Sequence, residues 1–152
     1  MSKFAIIPHG WFLHLGRTRL YRNAAKVTLM ETVVPKMTEN GIGIAIYSAP
    51  ELEAQATADT VAAAMKSSVA VDPSLSDERG APLPQALIAK LVAAMEPAII
   101  VTHRGRLKMI LRAVRSLQKS KKLAIVGRRP FFGNQALLVD PEKFTVDVIS
   151  IR

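Results

Sequence analysis

Three short apolar runs, each ending in a turn-forming stretch that carries a polar side chain, constrain this chain most. Phe4-Ala5-Ile6-Ile7 leads into Pro8-His9-Gly10, and Ile44-Ala45-Ile46-Tyr47 into Ser48-Ala49-Pro50. Ala98-Ile99-Ile100-Val101 leads into Thr102-His103-Arg104-Gly105. Apolar runs of this length and β-branched content fit strands buried on both faces, as in a parallel sheet. Proline after such a run gives no N–H to a ladder, and glycine permits a sharp turn and close approach. His9 and His103 are therefore expected at the carboxyl ends of central strands, the edge at which open α/β sheets bind ligands.

The intervening segments read as helices. Leu20, Ala24, Val27, Met30, Val34 and Met37 recur at helical spacing over about residues 18–38. Pro35 within that stretch predicts a kink or an early end. Glu51 to Met65 is alanine-rich and follows Pro50, and Glu51 and Glu53 in its first turn suit the helix dipole. Val69-Ala70-Val71 fits a sheet-edge strand, and residues 72–84 are turn-rich. Leu87, Ile88, Leu91, Val92 and Met95 form another helical stripe, closed by Pro97. After His103, Leu107, Ile110, Leu111, Val114 and Leu117 mark a core face. Lys108, Arg112, Arg115 and Lys119 mark a basic face of the same helix. Leu123-Ala124-Ile125-Val126 is a further strand. Residues 135–140 and 144–151 read as a terminal hairpin whose second strand alternates, as an edge or half-exposed strand should. This order predicts one α/β domain over residues 1–152. Its architecture is a three-layer α/β/α sandwich with a mainly parallel sheet and an antiparallel C-terminal edge.

Charge narrows the partners. The chain of 152 residues carries 21 Lys/Arg against 12 Asp/Glu, a net charge of +9. Residues 97–139 hold ten of the basic residues and no acid. Such a field favours anionic ligands. A nucleic-acid role for the face of Lys108, Arg112 and Arg115 is not favoured, because aromatic side chains do not interleave with it. There is no cysteine, so thiolate chemistry and disulfides are excluded. No apolar run approaches the ~18 residues of a spanning helix, and the first residues lack a signal-peptide pattern. A cytoplasmic location without membrane partners is the resulting expectation. The three histidines lie in separate motifs without metal-ligand spacing, and no glycine-rich nucleotide loop occurs, so neither metal nor cofactor is expected.

Strand-His-Gly, strand-Ser-x-Pro-helix with Gln55, Thr57 and Ala58, and strand-Thr-His-x-Gly, in that order, resemble the histidine phosphatase (phosphoglycerate-mutase-like) superfamily. The resemblance covers most of the chain, whose length is closest to the small bacterial phosphohistidine phosphatases. It implies that His9 is the nucleophile and His103 the second histidine of the phosphate site, with Gly10 and Ser48 beside them. The proton donor is then a carboxylate in the loop after the third strand, where Asp77 and Glu78 stand.

Two positions depart from the family. Its first motif is Arg-His-Gly, and here Pro8 replaces the arginine. Its second phosphate arginine lies three residues past the proline of Ser-x-Pro, and here that position is Glu53. One lost bidentate clamp costs ~2–4 kcal/mol of transition-state stabilisation. Arg17, Arg104 and Arg106, close in sequence to the two histidine motifs, are the candidate replacements. His14 has no assigned role.

Two functions remain open at this point. One is a metal-independent phosphatase of weakened activity, acting through a phosphohistidine intermediate on a phosphorylated small molecule or phosphoprotein. The other is a catalytically degenerate member that binds an anion or partner through its basic surface.

Overall fold

A computed structural model describes residues 3–8, 31, 33–42, 45–116, 124–126, 135–140 and 145–150. The chain forms β1 (Phe4–Pro8), α1 (Val34–Glu39), β2 (Ala45–Ser48), α2 (Leu52–Met65) and β3 (Val69–Val71). A short 3-10 turn at Pro73–Leu75 precedes α3 (Gln85–Ala93), β4 (Ala98–Thr102) and α4 (Arg104–Ser116). The sheet is completed by β5 (Ala124–Val126), β6 (Gln135–Asp140) and β7 (Thr145–Ser150).

Seven strands make one sheet in the order β3-β2-β4-β1-β6-β7-β5. β4 is fully buried along its length, as are Phe4 to Ile7 of β1. Covering both faces of these strands requires the continuous apolar runs seen in the sequence. Burying one such isoleucine contributes roughly 1.5–3 kcal/mol. β1 and β4 pair in parallel, with Ile6 opposite Ile100 and Pro8 opposite Thr102.

Connection direction assigns the helices to layers. From β1 the chain steps towards β3 through α1 and α2, whereas β3 to β4 and β4 to β5 step the other way through α3 and α4. Right-handed crossovers then place α1 and α2 on one face and α3 and α4 on the other. The packing of α1 on α2, and of α3 on α4, agrees with this. The chain is thus the α/β/α sandwich expected. Progression reverses between β1 and β4, and their carboxyl ends flank the resulting crevice.

Most of the helix expected over 18–38 falls in residues 9–30, which lie outside the described set. Three details differ from the sequence reading. Pro35 does not end its helix; it stands where π-helical backbone at Glu31 and Val33 gives way to α1, a change of winding at the residue that lacks the N–H of a regular turn. Met95 is off the core stripe of α3: the helix ends at Ala93, and Met95 has a left-handed φ of 52° and is exposed. The C-terminal hairpin of β6 and β7 is antiparallel, but it inserts between β1 and β5. β5 therefore forms the sheet edge and β7 lies inside it, paired on both sides. The core face of α4 is as expected, with Leu107, Ile110, Leu111 and Val114 buried and Lys108, Arg112 and Arg115 exposed. Leu117 and Lys119 lie outside the described residues. No helix among the described residues is long and apolar enough to cross a membrane.

Candidate active site

The carboxyl ends of three neighbouring strands each deliver a polar group to one spot. β4 ends at Thr102, and His103 follows it as a buried residue, 8% exposed, directly ahead of α4. β2 ends at Ser48, and three residues later Glu51 stands as N-cap of α2. β3 leads through the 3-10 turn into Ser76, Asp77 and Glu78.

Glu51 has the extended backbone of an N-cap, φ −65° and ψ 141°, yet its carboxylate caps no helix N–H. Instead Oε2 lies 2.9 Å from His103 Nε2. This is ion-pair distance, but the two atoms are not aligned as a hydrogen bond. The other oxygen, Oε1, accepts a short hydrogen bond of 2.5 Å from the Ser76 hydroxyl. Ser76 Oγ in turn accepts from the Glu78 N–H at 3.1 Å. At the other ring nitrogen, Asp77 Oδ2 lies 3.3 Å from His103 Nδ1, with its side chain more than half exposed. His103 thus sits between two carboxylates.

The loop holding Ser76 and Asp77 is fastened to the sheet. Thr102 Oγ1, fully buried, donates to the Leu75 carbonyl at 2.8 Å. Asp72 Oδ1 accepts from both the N–H and the hydroxyl of Ser74, which closes the turn. At the start of α2, Gln55 Nε2 donates to the Pro50 carbonyl at 2.6 Å. Thr57 Oγ1 donates to Glu53 O at 3.3 Å. Both residues of the Gln-x-Thr segment therefore secure the helix that carries Glu51.

Burial pushes the Glu51 carboxyl up. That influence is outweighed by the contact with His103, the Ser76 hydroxyl, its own backbone N–H and the charge on His103. Together they bring it down from 4.5 to about 2. The carboxylate is therefore ionised throughout the physiological range.

The structure brings His103 and Asp77 of the candidate residues together. Glu78 is exposed and joins the cluster through its backbone N–H. Ser48 is buried at the end of β2, its hydroxyl donating to the Ala49 carbonyl at 2.8 Å. Arg106 is buried, and its Nη1 is engaged by the Pro82 carbonyl at 3.4 Å and the Met109 sulfur at 3.2 Å. Arg104 opens α4, but its side chain is outside the described atoms. His9, Gly10, Arg17 and His14 also lie outside the described residues. The last described residue before His9 is Pro8, which sits level with Thr102 on the adjacent strand. Glu53, at the position of the family's second arginine, is exposed in the first turn of α2.

Two participants, Glu51 and Ser76, were not singled out for the site by sequence reasoning. Glu51 had a signal: an acid directly after the proline of Ser-x-Pro, at a strand's carboxyl edge. Ser76 had none beyond its place in the loop of Asp77. One donor atom each from Glu51, Asp77 and His103 lie within 4.8 Å of one another. This grouping comes from three separate segments and so escapes any search by spacing.

No protein-family model matches the chain, and no curated protein matches it in sequence. Among solved structures, the chain is similar to the protein histidine phosphatase SixA complexed with tungstate. The two share 17% identity and a TM-score of 0.58, over 97% of this chain and 96% of that one. The likeness is one of fold.

Proposed function

We propose that this chain is a histidine-phosphatase-like protein of weakened activity, which hydrolyses a phosphomonoester or a phosphohistidine through transient phosphorylation of His9. The observation that carries the reading is the register of β1 and β4. The strand that runs into His9 and the strand that runs into His103 are parallel neighbours, with Pro8 level with Thr102. Phosphoryl transfer to an imidazole needs a second group beside it to share the phosphate, and the adjacency of β1 and β4 supports His103 in that role. The start of α4 directly after His103 adds N–H donors and the positive end of a helix dipole. The oxyanion held by the structurally similar phosphatase supports the same class of ligand. Phosphoprotein and small-molecule substrates both fit it.

In the first step the substrate P–O or P–N bond breaks as a His9 nitrogen bonds to phosphorus. Asp77 or Glu78 gives the leaving atom its proton. Water then attacks phosphorus and gives one of its own protons to the carboxylate, the P–N bond to His9 breaks, and inorganic phosphate leaves.

A specific observation favours a second reading, a catalytically degenerate module that binds an anion or partner through its basic surface. Glu51 places an ionised carboxylate against His103, and that charge opposes a phosphoryl anion. Hydrolysis of an aryl phosphate by the full chain, with chelator present, separates the two. Slow turnover that disappears in His9→Ala is the expected result. Turnover that persists in His9→Ala rejects the mechanism. Absence of turnover with retained phosphate binding selects the second reading.

A further inference from the structure

The described residues around His103 have the wrong sign for the proposed ligand. Two carboxylates flank one imidazole, Pro8 and Glu53 stand where guanidiniums are expected, and Arg106 Nη1 is engaged at Pro82. Going beyond the proposed function but resting on its phosphate site, we propose that Glu51, Asp77 and His103 bind a divalent transition-metal ion of the zinc type. That ion supplies the positive charge that holds a phosphoryl oxygen.

The donor set is one imidazole nitrogen and two carboxylate oxygens, the mixed N/O chemistry that zinc accepts. With metal–ligand bonds of ~2.0–2.2 Å, ligand atoms around one ion stand roughly 3–4 Å apart. One donor atom from each residue already falls within 4.8 Å of the others, and Glu51 Oε2 and His103 Nε2 are 2.9 Å apart. Glu51 Oε2 is buried and accepts no hydrogen bond, so no donor has to be displaced from it. An ion takes one ring nitrogen, and Nε2 is the one beside the buried carboxylate. Asp77, more than half exposed, is then the ligand that swings to complete the set, which leaves Glu78 as the proton donor of the phosphatase reading. Orientation is prepared in the way metal sites commonly are. Ser76 holds Glu51 Oε1, which leaves Oε2 turned to the imidazole. Three protein ligands leave a fourth position open, where water or a phosphate oxygen binds. The ion also offsets both carboxylate charges, which removes the repulsion that an incoming phosphate meets.

The test uses the full chain stripped with chelator and then dialysed, with zinc alone as the first probe. Calorimetric titration should show one tight site per chain. Glu51→Gln and His103→Gln should each weaken it roughly tenfold or more, and Ser76→Ala, which leaves all three ligands, severalfold. Inorganic phosphate, titrated next, should bind the zinc-loaded chain roughly tenfold more tightly than the stripped chain. The proposal is overturned by absence of zinc binding. Zinc binding indifferent to Glu51→Gln and His103→Gln, or phosphate affinity unchanged by zinc, overturns it equally. Circular dichroism of each variant confirms that the fold is intact. His9-dependent hydrolysis in chelator tests the phosphatase reading separately, because it needs no zinc.

Discussion

Replacing Glu51 with glutamine keeps shape and volume and removes one charge, so its effect can be worked from the site. The carboxyl falls from 4.5 to about 2 on folding. At ~1.4 kcal/mol per pKa unit, that corresponds to roughly 3 kcal/mol of stabilisation. The side chain is 22% exposed, so solvent screening leaves on the order of 2 kcal/mol. Because the folded value lies below the unfolded one, the native state binds fewer protons between the two. The contribution is present above 4.5 and disappears as pH falls towards about 2. Urea unfolding in the presence of chelator, at about pH 6.5 and about pH 3, reads both quantities. At the higher pH Glu51→Gln should be less stable by ~2 kcal/mol. At the lower pH the gap should narrow. A variant as stable as wild type at the higher pH, or a gap that stays constant, would refute the view that the Glu51–His103 contact stabilises the fold.

Two further outcomes follow from residues around the cluster. Thr102→Val removes the hydroxyl that holds the buried Leu75 carbonyl, and should cost ~1–3 kcal/mol in chemical denaturation. Hydrogen exchange should also quicken across residues 73–78, and unchanged exchange there would show that the tether does not fix the loop. Glu53→Arg should leave phosphate affinity unchanged and lower the melting temperature slightly, since the side chain is exposed beside a helix N-terminus. A gain in affinity on titration would show instead that position 53 reaches the pocket.

The parts of the fold written in local pattern were legible. Ile99-Ile100-Val101, short, β-branched and bounded by Pro97 and Gly105, fits a doubly covered strand, and β4 is that strand. The helical stripes of Leu87, Ile88 and Leu91, and of Leu107, Ile110 and Val114, became buried faces for the same reason. Sheet order was less accessible. Nothing in Ala124-Ile125-Val126 says that it pairs in parallel with β7 and forms the edge, since pairing depends on distant segments.

The candidate site divides along the same line. His103 and Asp77 were singled out because motifs and loop position mark them, and the structure brings the two together. Glu51 and Glu53 look equivalent in sequence, as acids in one helix turn. Their difference is geometric: Glu51 has N-cap backbone and turns its side chain across the strand edge, whereas Glu53 is inside the helix and turns to solvent. Aligning on the missing arginine pointed to position 53, whereas the carboxylate beside His103 belongs to the residue two positions earlier.

The place of β1 in the sheet has a consequence for how the chain folds. β1 comes first among the described strands, yet both its neighbours come late: Ala5 pairs with Ile99 on one side and Leu138 on the other. Until those segments are made, Phe4 to Ile7 form an apolar strand with two open edges, the arrangement most prone to pairing with another chain. Contacts so distant in sequence carry a large loop-closure cost and slow folding. Loss of the residues from β6 onward should leave one edge of β1 bare at the centre of the sheet, so such fragments should aggregate. The pairing of β1 with β4 therefore forms only after about two thirds of the chain has been made.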